Sequence, residues 1–229
     1  MKLSAVTISD KPVKWSLEIP HITYTEGYKP IFLIGESKSI ERVEYLAKRR
    51  NAAVQELLNC FPSTTHILMI DSHYCNQLDE IYRLVADHYD SDWDTTILGG
   101  STWFHSQMWP HKRIIFWDSW TTPEGLSHHI NDGQWKDRAH HGGYLKVKAV
   151  GGAMIFPRKA WESTKFDTSQ WPNGSECNGF CINSGLNVYL DFYSKFFHPD
   201  PPQHSLPKTL KLKTYKPLRN KIGLFIKNL

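Results

Sequence analysis

His66-Ile67-Leu68-Met69-Ile70, followed directly by Asp71-Ser72-His73, is the stretch whose reading decides how this chain folds. Ile67 to Ile70 is short, apolar and bounded by polar residues, as expected of a strand buried on both faces. In an extended chain residues i and i+2 point the same way. Asp71 and His73 are therefore expected to aim into one crevice past the carboxyl end of the strand, where open α/β sheets bind ligands. An acid and an imidazole there could hold a divalent cation. The alternative is an Asp that caps the next helix and a His on the surface. With 12 His in 229 residues, an Asp two positions before some His arises by chance about once, so the surrounding pattern has to decide.

That pattern alternates strands with helices. Leu3 to Ser9 reads as a first strand with a polar exit, and His21 to Thr25 and Ile31 to Ile34 as two more. Between Ser39 and Leu58, residues Ile40, Val43, Leu46, Ala47, Val54, Leu57 and Leu58 recur at helical steps. A helix from Gln77 to His88 and a strand from Thr95 to Leu98 follow the Asp-Ser-His stretch. The acids Asp90-Ser91-Asp92 and Asp92-Trp93-Asp94 lie between those two elements, at the wrong end of a strand for a ligand crevice. They read as solvated loop acids.

From Ser101 to Gly143 the alternation breaks down. Trp103, Trp109, Trp117, Trp120 and Trp135 fall here with six His, and only Ile114 to Trp117 reads as a strand. Long loops in a compact domain are usually lids or binding loops. These Trp either stack on sugar rings or fill a second small core. Leu145 to Ala149 returns to strand character, and in the run from Val150 to Arg158 that follows, the pair Gly151-Gly152 stands before a strand and allows close backbone approach. A helix from Glu176 to Ser184, ended by Gly185, and a strand from Asn187 to Leu190 complete the body. The fold class is thus α/β: a mixed, mostly parallel sheet flanked by helices, with a Trp- and His-rich loop insertion.

Composition sets outer limits. No span reaches about 18 apolar residues, so no transmembrane helix is expected, and the N-terminus lacks the features of a signal peptide. Four unevenly spaced Cys do not suggest a disulfide framework. Cys177 and Cys181 read as buried thiols rather than zinc ligands. The net charge of +4 misleads as an average: beyond His204 stand seven Lys or Arg and no acid, leaving 20 basic against 23 acidic residues elsewhere. Residues 1–203 are expected to form the catalytic domain and 204–229 a basic amphipathic tail. Leu218, Ile222, Phe225, Ile226 and Leu229 share one helical face there, beside Arg219, Lys221 and Lys227. Such a face fits an anionic membrane surface or equally the body or a second subunit. A cytoplasmic protein, peripheral at the membrane, is the expectation. A basic tail without a groove-reading motif gives no specific nucleic-acid partner.

The order of these pieces resembles the GT-A fold glycosyltransferases, in particular family 2-like enzymes. At Asp71-Ser72-His73 it is similar to the polypeptide N-acetylgalactosaminyltransferases, which carry Asp-x-His there. Arg50-Asn51 resembles the Arg-Asn those enzymes place ahead of the motif, and Val150-Gly151-Gly152-Ala153-Met154-Ile155 the strand lining their sugar-acceptor junction. Phe166-Asp167, Glu176, Gly185 and His198 resemble their acceptor-side segment and late metal-binding His. Cys177 stands where the family usually has an acid, so part of that motif is missing.

The resemblance implies a glycosyltransferase using a UDP- or GDP-linked sugar donor and an unknown glycan, lipid-linked or protein acceptor. Asp71, His73 and His198 would ligate Mn²⁺, or Mg²⁺; an imidazole in the donor set favours Mn²⁺. Arg50, Asn51, Asp71, Gly151 and Gly152 would line the donor site, with Thr7 and Glu26 at early strand ends as base and ribose contacts. Arg50 could pair with a diphosphate or uracil oxygen, or be a helix-surface cation beside Lys48 and Arg49. Glu176 would be the general base, with Asp167 and Asp132 in reserve. Glu176→Gln is then expected to abolish transfer and preserve nucleotide binding. Two further functions compete. A nucleotidyltransferase or sugar-phosphate pyrophosphorylase usually needs a glycine-rich N-terminal loop, and residues 4–14 contain no glycine. A non-catalytic carbohydrate-binding protein would use the Trp-rich loops alone.

Overall fold

The strand β3 (His66–Ile70) is buried at all five positions, and its residues alternate between two separate apolar cores. Ile67 and Met69 belong to one core, Leu68 and Ile70 to the other. That is the signature of a sheet covered on both faces. The computed structural model describes residues 2–15, 18–27, 39–89, 94–106, 113–116 and 143–197, all within one compact unit, Met1–Pro199. The expected strand at Ile31–Ile34 and the basic tail lie outside the described residues.

The other strands are β1 (Leu3–Ile8), β2 (His21–Tyr24), β4 (Thr96–Ser106), β5 (Arg113–Phe116), β6 (Tyr144–Lys146), β7 (Ala153–Pro157) and β8 (Asn187–Phe197). They form one sheet in the order β2-β1-β3-β7-β4-β8-β6, with β5 added on β4. β1 runs parallel to β2 and β3, and β4 runs parallel to β8. β7 is antiparallel to both β3 and β4, β5 to β4, and β6 to β8. The sheet is therefore mixed. The expectation of a mostly parallel sheet holds for strand direction but not for neighbour pairing, because β7 inserts in reverse between β3 and β4. That reversal has a local consequence: Ala153 pairs with Ile70, so the chain entering β7 passes directly beside Asp71.

Helix α1 (Ile40–Cys60) begins at Ser39, whose Oγ accepts from the Arg42 N–H at 3.3 Å. Its buried stripe is Val43, Ala47, Arg50, Ala53, Val54, Leu57 and Leu58, and it packs on β1 and β2. The opposite face of the sheet is covered by α2 (Leu78–Tyr89), through Ile81 and Leu84. The short α3 (Arg158–Ser163), not anticipated from the sequence, follows β7 and contributes Ala160 and Trp161 to the same core as α1. α4 (Glu176–Asn183) is buried through most of its length and contacts α1.

β4 and β8 each reach 11 residues, well past the four expected. They pair along most of their length, with a register shift between Gly100 and Ser101 where Asp191 to Lys195 bulges. Pairing with β8 as far as Trp103, and with β5 from Trp103 to Ser106, satisfies backbone groups in a stretch whose composition gives no alternating signal. Trp103, one of the five tryptophans in question, is wholly buried against Phe192 with its Nε1 on Ser101 Oγ at 2.7 Å. It is a core residue rather than a stacking platform; the other four lie outside the described residues. Polar side chains of α2 and of Gln77 just before it then fasten β8 at two-residue steps. Gln77 binds both backbone groups of Phe197 (2.7 and 2.8 Å), Glu80 accepts from Lys195 N–H, and Arg83 donates to the Tyr193 carbonyl.

Candidate functional site

Asp71 follows the last residue of β3, level with the ends of β1 and β2 on the shared carboxyl edge. Its backbone N–H donates to the Gly152 carbonyl at 2.6 Å. Gly152 has φ +67°, and a Cβ there would lie 2.8 Å from Thr102 Cγ2 and 3.2 Å from the Tyr74 ring, so only glycine fits without displacement. Gly151 and Gly152 are thus brought to Asp71 by the reversed β7. The Asp71 side chain is 30% exposed. Its Oδ1 accepts from Arg50 Nη2 at 3.0 Å, while Oδ2 takes no hydrogen bond from any described residue.

The extended chain stops at Asp71, and this corrects the geometry expected for the pair. Ser72–Tyr74 form a single 3₁₀ turn, so the rule that i and i+2 point alike does not apply across it. His73 is exposed on that turn, with its ring edge-on to Tyr74 at 4.0 Å between centroids. His198 lies outside the described residues. Among the described residues no three His, Cys, Asp or Glu side chains gather as a metal centre. Two donors still fit a divalent cation in kind: Oδ2 of the part-exposed Asp71 and the imidazole of His73, which is exposed on the turn that follows.

Arg50 is the largest departure from expectation. It is neither a surface cation nor a fork open to a diphosphate, because it sits on the core stripe of α1 and is only 5% exposed. Nη2 binds Asp71 as above, and Nε donates to Glu176 Oε1 at 2.9 Å. Burial opposes the charge on Arg50, but the negative charge of the Asp71 and Glu176 carboxylates beside it holds its pKa above the ordinary range. The guanidinium therefore joins α1, the end of β3 and the start of α4.

Glu176 is the first residue of α4 and is 3% exposed. A carboxylate at a helix N-terminus is favoured by the helix dipole. Its Oε1 also lies 3.6 Å from Cys177 Sγ, while Oε2 takes no hydrogen bond from any described residue. Burial pushes the Cys177 thiol well up, against the pull of Arg50, and burial raises Cys75 to about 12. Both are neutral thiols. All four cysteines are free, with Cys60 exposed and the others buried.

Other candidates are employed elsewhere. Asn51 Nδ2 donates to the Phe166 carbonyl at 2.8 Å, and its Oδ1 accepts from Phe166 N–H and from Trp161 Nε1. Its carboxamide ties α1 to the segment before α4, with Oδ1 accepting twice and one of the two Nδ2 hydrogens donated. Asp167 accepts from Ser169 N–H through Oδ1 and from Asn183 Nδ2 through Oδ2, and its carboxylate fills the space beside Gly179; it closes a turn. Thr7 is completely buried, within β1. Its hydroxyl faces the Cys75 thiol and makes no close hydrogen bond, so it cannot reach a base from the edge. Glu26 does lie at the exit of β2, exposed, taking the Tyr24 hydroxyl at 3.2 Å; its backbone carbonyl accepts from Arg49 Nη1 at 2.6 Å. No bond joins it to Arg50 or Asp71. Asp132 lies outside the described residues. Of the rival acids, Asp94 is exposed beside Lys159 at 3.6 Å, as expected of a solvated loop acid; Asp90 and Asp92 lie outside the described residues.

The structure thus brings together Arg50, Asp71, Gly151, Gly152 and Glu176, and adds Cys177. A signal for the role of Arg50 was present in the sequence: it falls on the stripe 43, 47, 50, 54, 57, where a lone cation among apolar positions calls for a buried acid. The Arg50–Glu176 pairing itself, spanning 126 positions, carries no local signal. Compared with protein-family models, the chain matches none, and a search of curated proteins finds no similar sequence.

Proposed function

We propose that this chain is a glycosyltransferase of the GT-A kind, moving a sugar from a nucleoside diphosphate sugar to an acceptor hydroxyl. The observation that carries the reading is the meeting of three parts at one sheet edge. Asp71 stands at the carboxyl end of a central strand, Gly151-Gly152 passes beside it, and Arg50 joins it to the buried carboxylate of Glu176. The carboxyl edge of an open α/β sheet suits a nucleotide. A glycine that cannot accept a Cβ keeps the backbone low beside it.

In this reading Asp71 and His73, with His198, would hold Mn²⁺ or Mg²⁺, which when bound supplies positive charge against the leaving diphosphate. Arg50 fixes Oδ1 of Asp71, which leaves Oδ2 to the cation. Glu176 has one oxygen left, Oε2, to take the proton of an acceptor hydroxyl. Arg50 serves from beneath and is not a direct ligand of the diphosphate. Glu26 is an exposed carboxylate on the same edge, suited to ribose hydroxyls.

Calorimetric titration of UDP- and GDP-linked sugars, with and without Mn²⁺, tests the proposal. The expected outcome is Mn²⁺-dependent binding of one donor series, followed by slow hydrolysis of the bound sugar. Binding that ignores the metal and never leads to hydrolysis would favour a carbohydrate- or nucleotide-binding protein instead. No binding to either series sinks the reading.

A further inference from the structure

We propose that Arg50 is a positioning residue that couples the two halves of the site: by sharing its charge between Asp71 and Glu176, it makes cation binding at Asp71 depend on a carboxylate that touches neither metal nor nucleotide. The inference rests on the donor-site reading above and deepens it.

Arg50 gives one nitrogen to each carboxylate, Nη2 to Asp71 Oδ1 at 3.0 Å and Nε to Glu176 Oε1 at 2.9 Å. Each carboxylate keeps one oxygen free of hydrogen bonds from the described residues. With Cys177 and Cys75 held as neutral thiols, the cluster carries one positive and two negative charges. Any cation on Asp71 Oδ2 shares that carboxylate with the guanidinium and is repelled by it. The repulsion is offset by the negative charge of Glu176 on the far side of Arg50. Both Arg50 and Glu176 are almost wholly removed from water, so the interaction is weakly screened.

Neutralising Glu176 would therefore leave Arg50 with Asp71 alone. The guanidinium would then draw more fully on the one carboxylate the cation needs. Glu176→Gln is the most direct variant, because the Gln amide oxygen still accepts from Arg50 Nε and keeps the start of α4 in place. The consequence differs from what sequence alone suggests, where Glu176→Gln preserves nucleotide binding.

The test is isothermal calorimetry of Mn²⁺ with UDP, and of Mn²⁺ with GDP, on the full chain. In the Glu176→Gln variant the dissociation constant for Mn²⁺–nucleotide is expected to rise about tenfold, with nucleotide binding in the absence of metal unchanged. Glu176→Asp, which restores the charge, is expected to recover most of that loss. In an Arg50→Lys background, where a compact ammonium replaces the fork whose two arms reach Asp71 and Glu176, Glu176→Gln is expected to change affinity less than about twofold. Equal Mn²⁺ affinity in wild type and Glu176→Gln, while both bind, overturns the coupling and leaves the donor site standing. So does a loss from Glu176→Gln that is as large in the Arg50→Lys background as in the wild-type one. If wild type binds neither Mn²⁺–UDP nor Mn²⁺–GDP, the donor-site reading and the coupling built on it both fall.

Discussion

Two pairs of acids lie in or against the core of this protein, and they are accommodated in opposite ways. Asp71 and Glu176 share Arg50, a cation that both can reach. Asp191 has no such partner. It is fully buried at the start of the β8 bulge, where it accepts from the N–H groups of Tyr193 and Ser194 at 2.7 and 3.0 Å. Burial, with Asp87 nearby, raises it to about 6 despite those bonds. The first pair is matched by a positive charge and leaves one oxygen on each acid without a hydrogen bond from the described residues. In the second, Asp191 turns both its oxygens inward to hold a strand irregularity. A buried acid beside another acid and without a cation takes up a proton readily.

Breaking the first pair should have the largest effect. Arg50→Met leaves the buried Glu176 and the part-exposed Asp71 without their counter-ion, and a loss of about 3–5 kcal/mol in unfolding free energy is expected. Urea denaturation checks this; a loss under about 1 kcal/mol would mean that water already reaches the cluster. The second pair should show itself through pH. Asp191, raised to about 6, binds its proton more tightly in the folded state, so its contribution is lost as pH rises from about 4 to 6. His88, lowered to about 4 by burial with help from His66, acts in reverse, and its contribution grows over the same range. The two oppose, each on the order of 2–3 kcal/mol. Thermal melting of wild type should be nearly flat across that window. Asp191→Asn should make stability rise with pH, and His88→Asn should make it fall.

Smaller changes sharpen the contrast between the two ends of the sheet. Gly152→Ala places a Cβ against Thr102 and Tyr74 at a positive φ, and should cost about 1–3 kcal/mol. It should also weaken Mn²⁺–nucleotide binding, since the strain falls beside Asp71. Gln77→Ala removes both bonds to Phe197 and should cost about 1–2 kcal/mol, read by the same denaturation experiment. Hydrogen exchange at Phe197 and Lys195 should quicken in that variant, while amides of β1 and β3 keep their protection. Uniform quickening would show that α2 supports the whole sheet and not the end of β8 alone.

The amino-acid order by itself determined the pieces that repeat locally. β3 followed from an apolar run, α1 from its stripe, and α4 from its glycine stop, because strand and helix periods are properties of near neighbours. The closeness of Gly152 to Asp71, the length of β4 and β8, and the duty of Arg50 were decided only by tertiary structure. Each depends on which elements lie side by side, and hydrogen bonds between Phe197 and Gln77, or between Arg50 and Glu176, link residues 120 and 126 positions apart. The 3₁₀ turn after Asp71 shows the same limit at short range: its geometry answers to Tyr74 packing into the core beside Phe196, which no reading of Asp-Ser-His alone can supply.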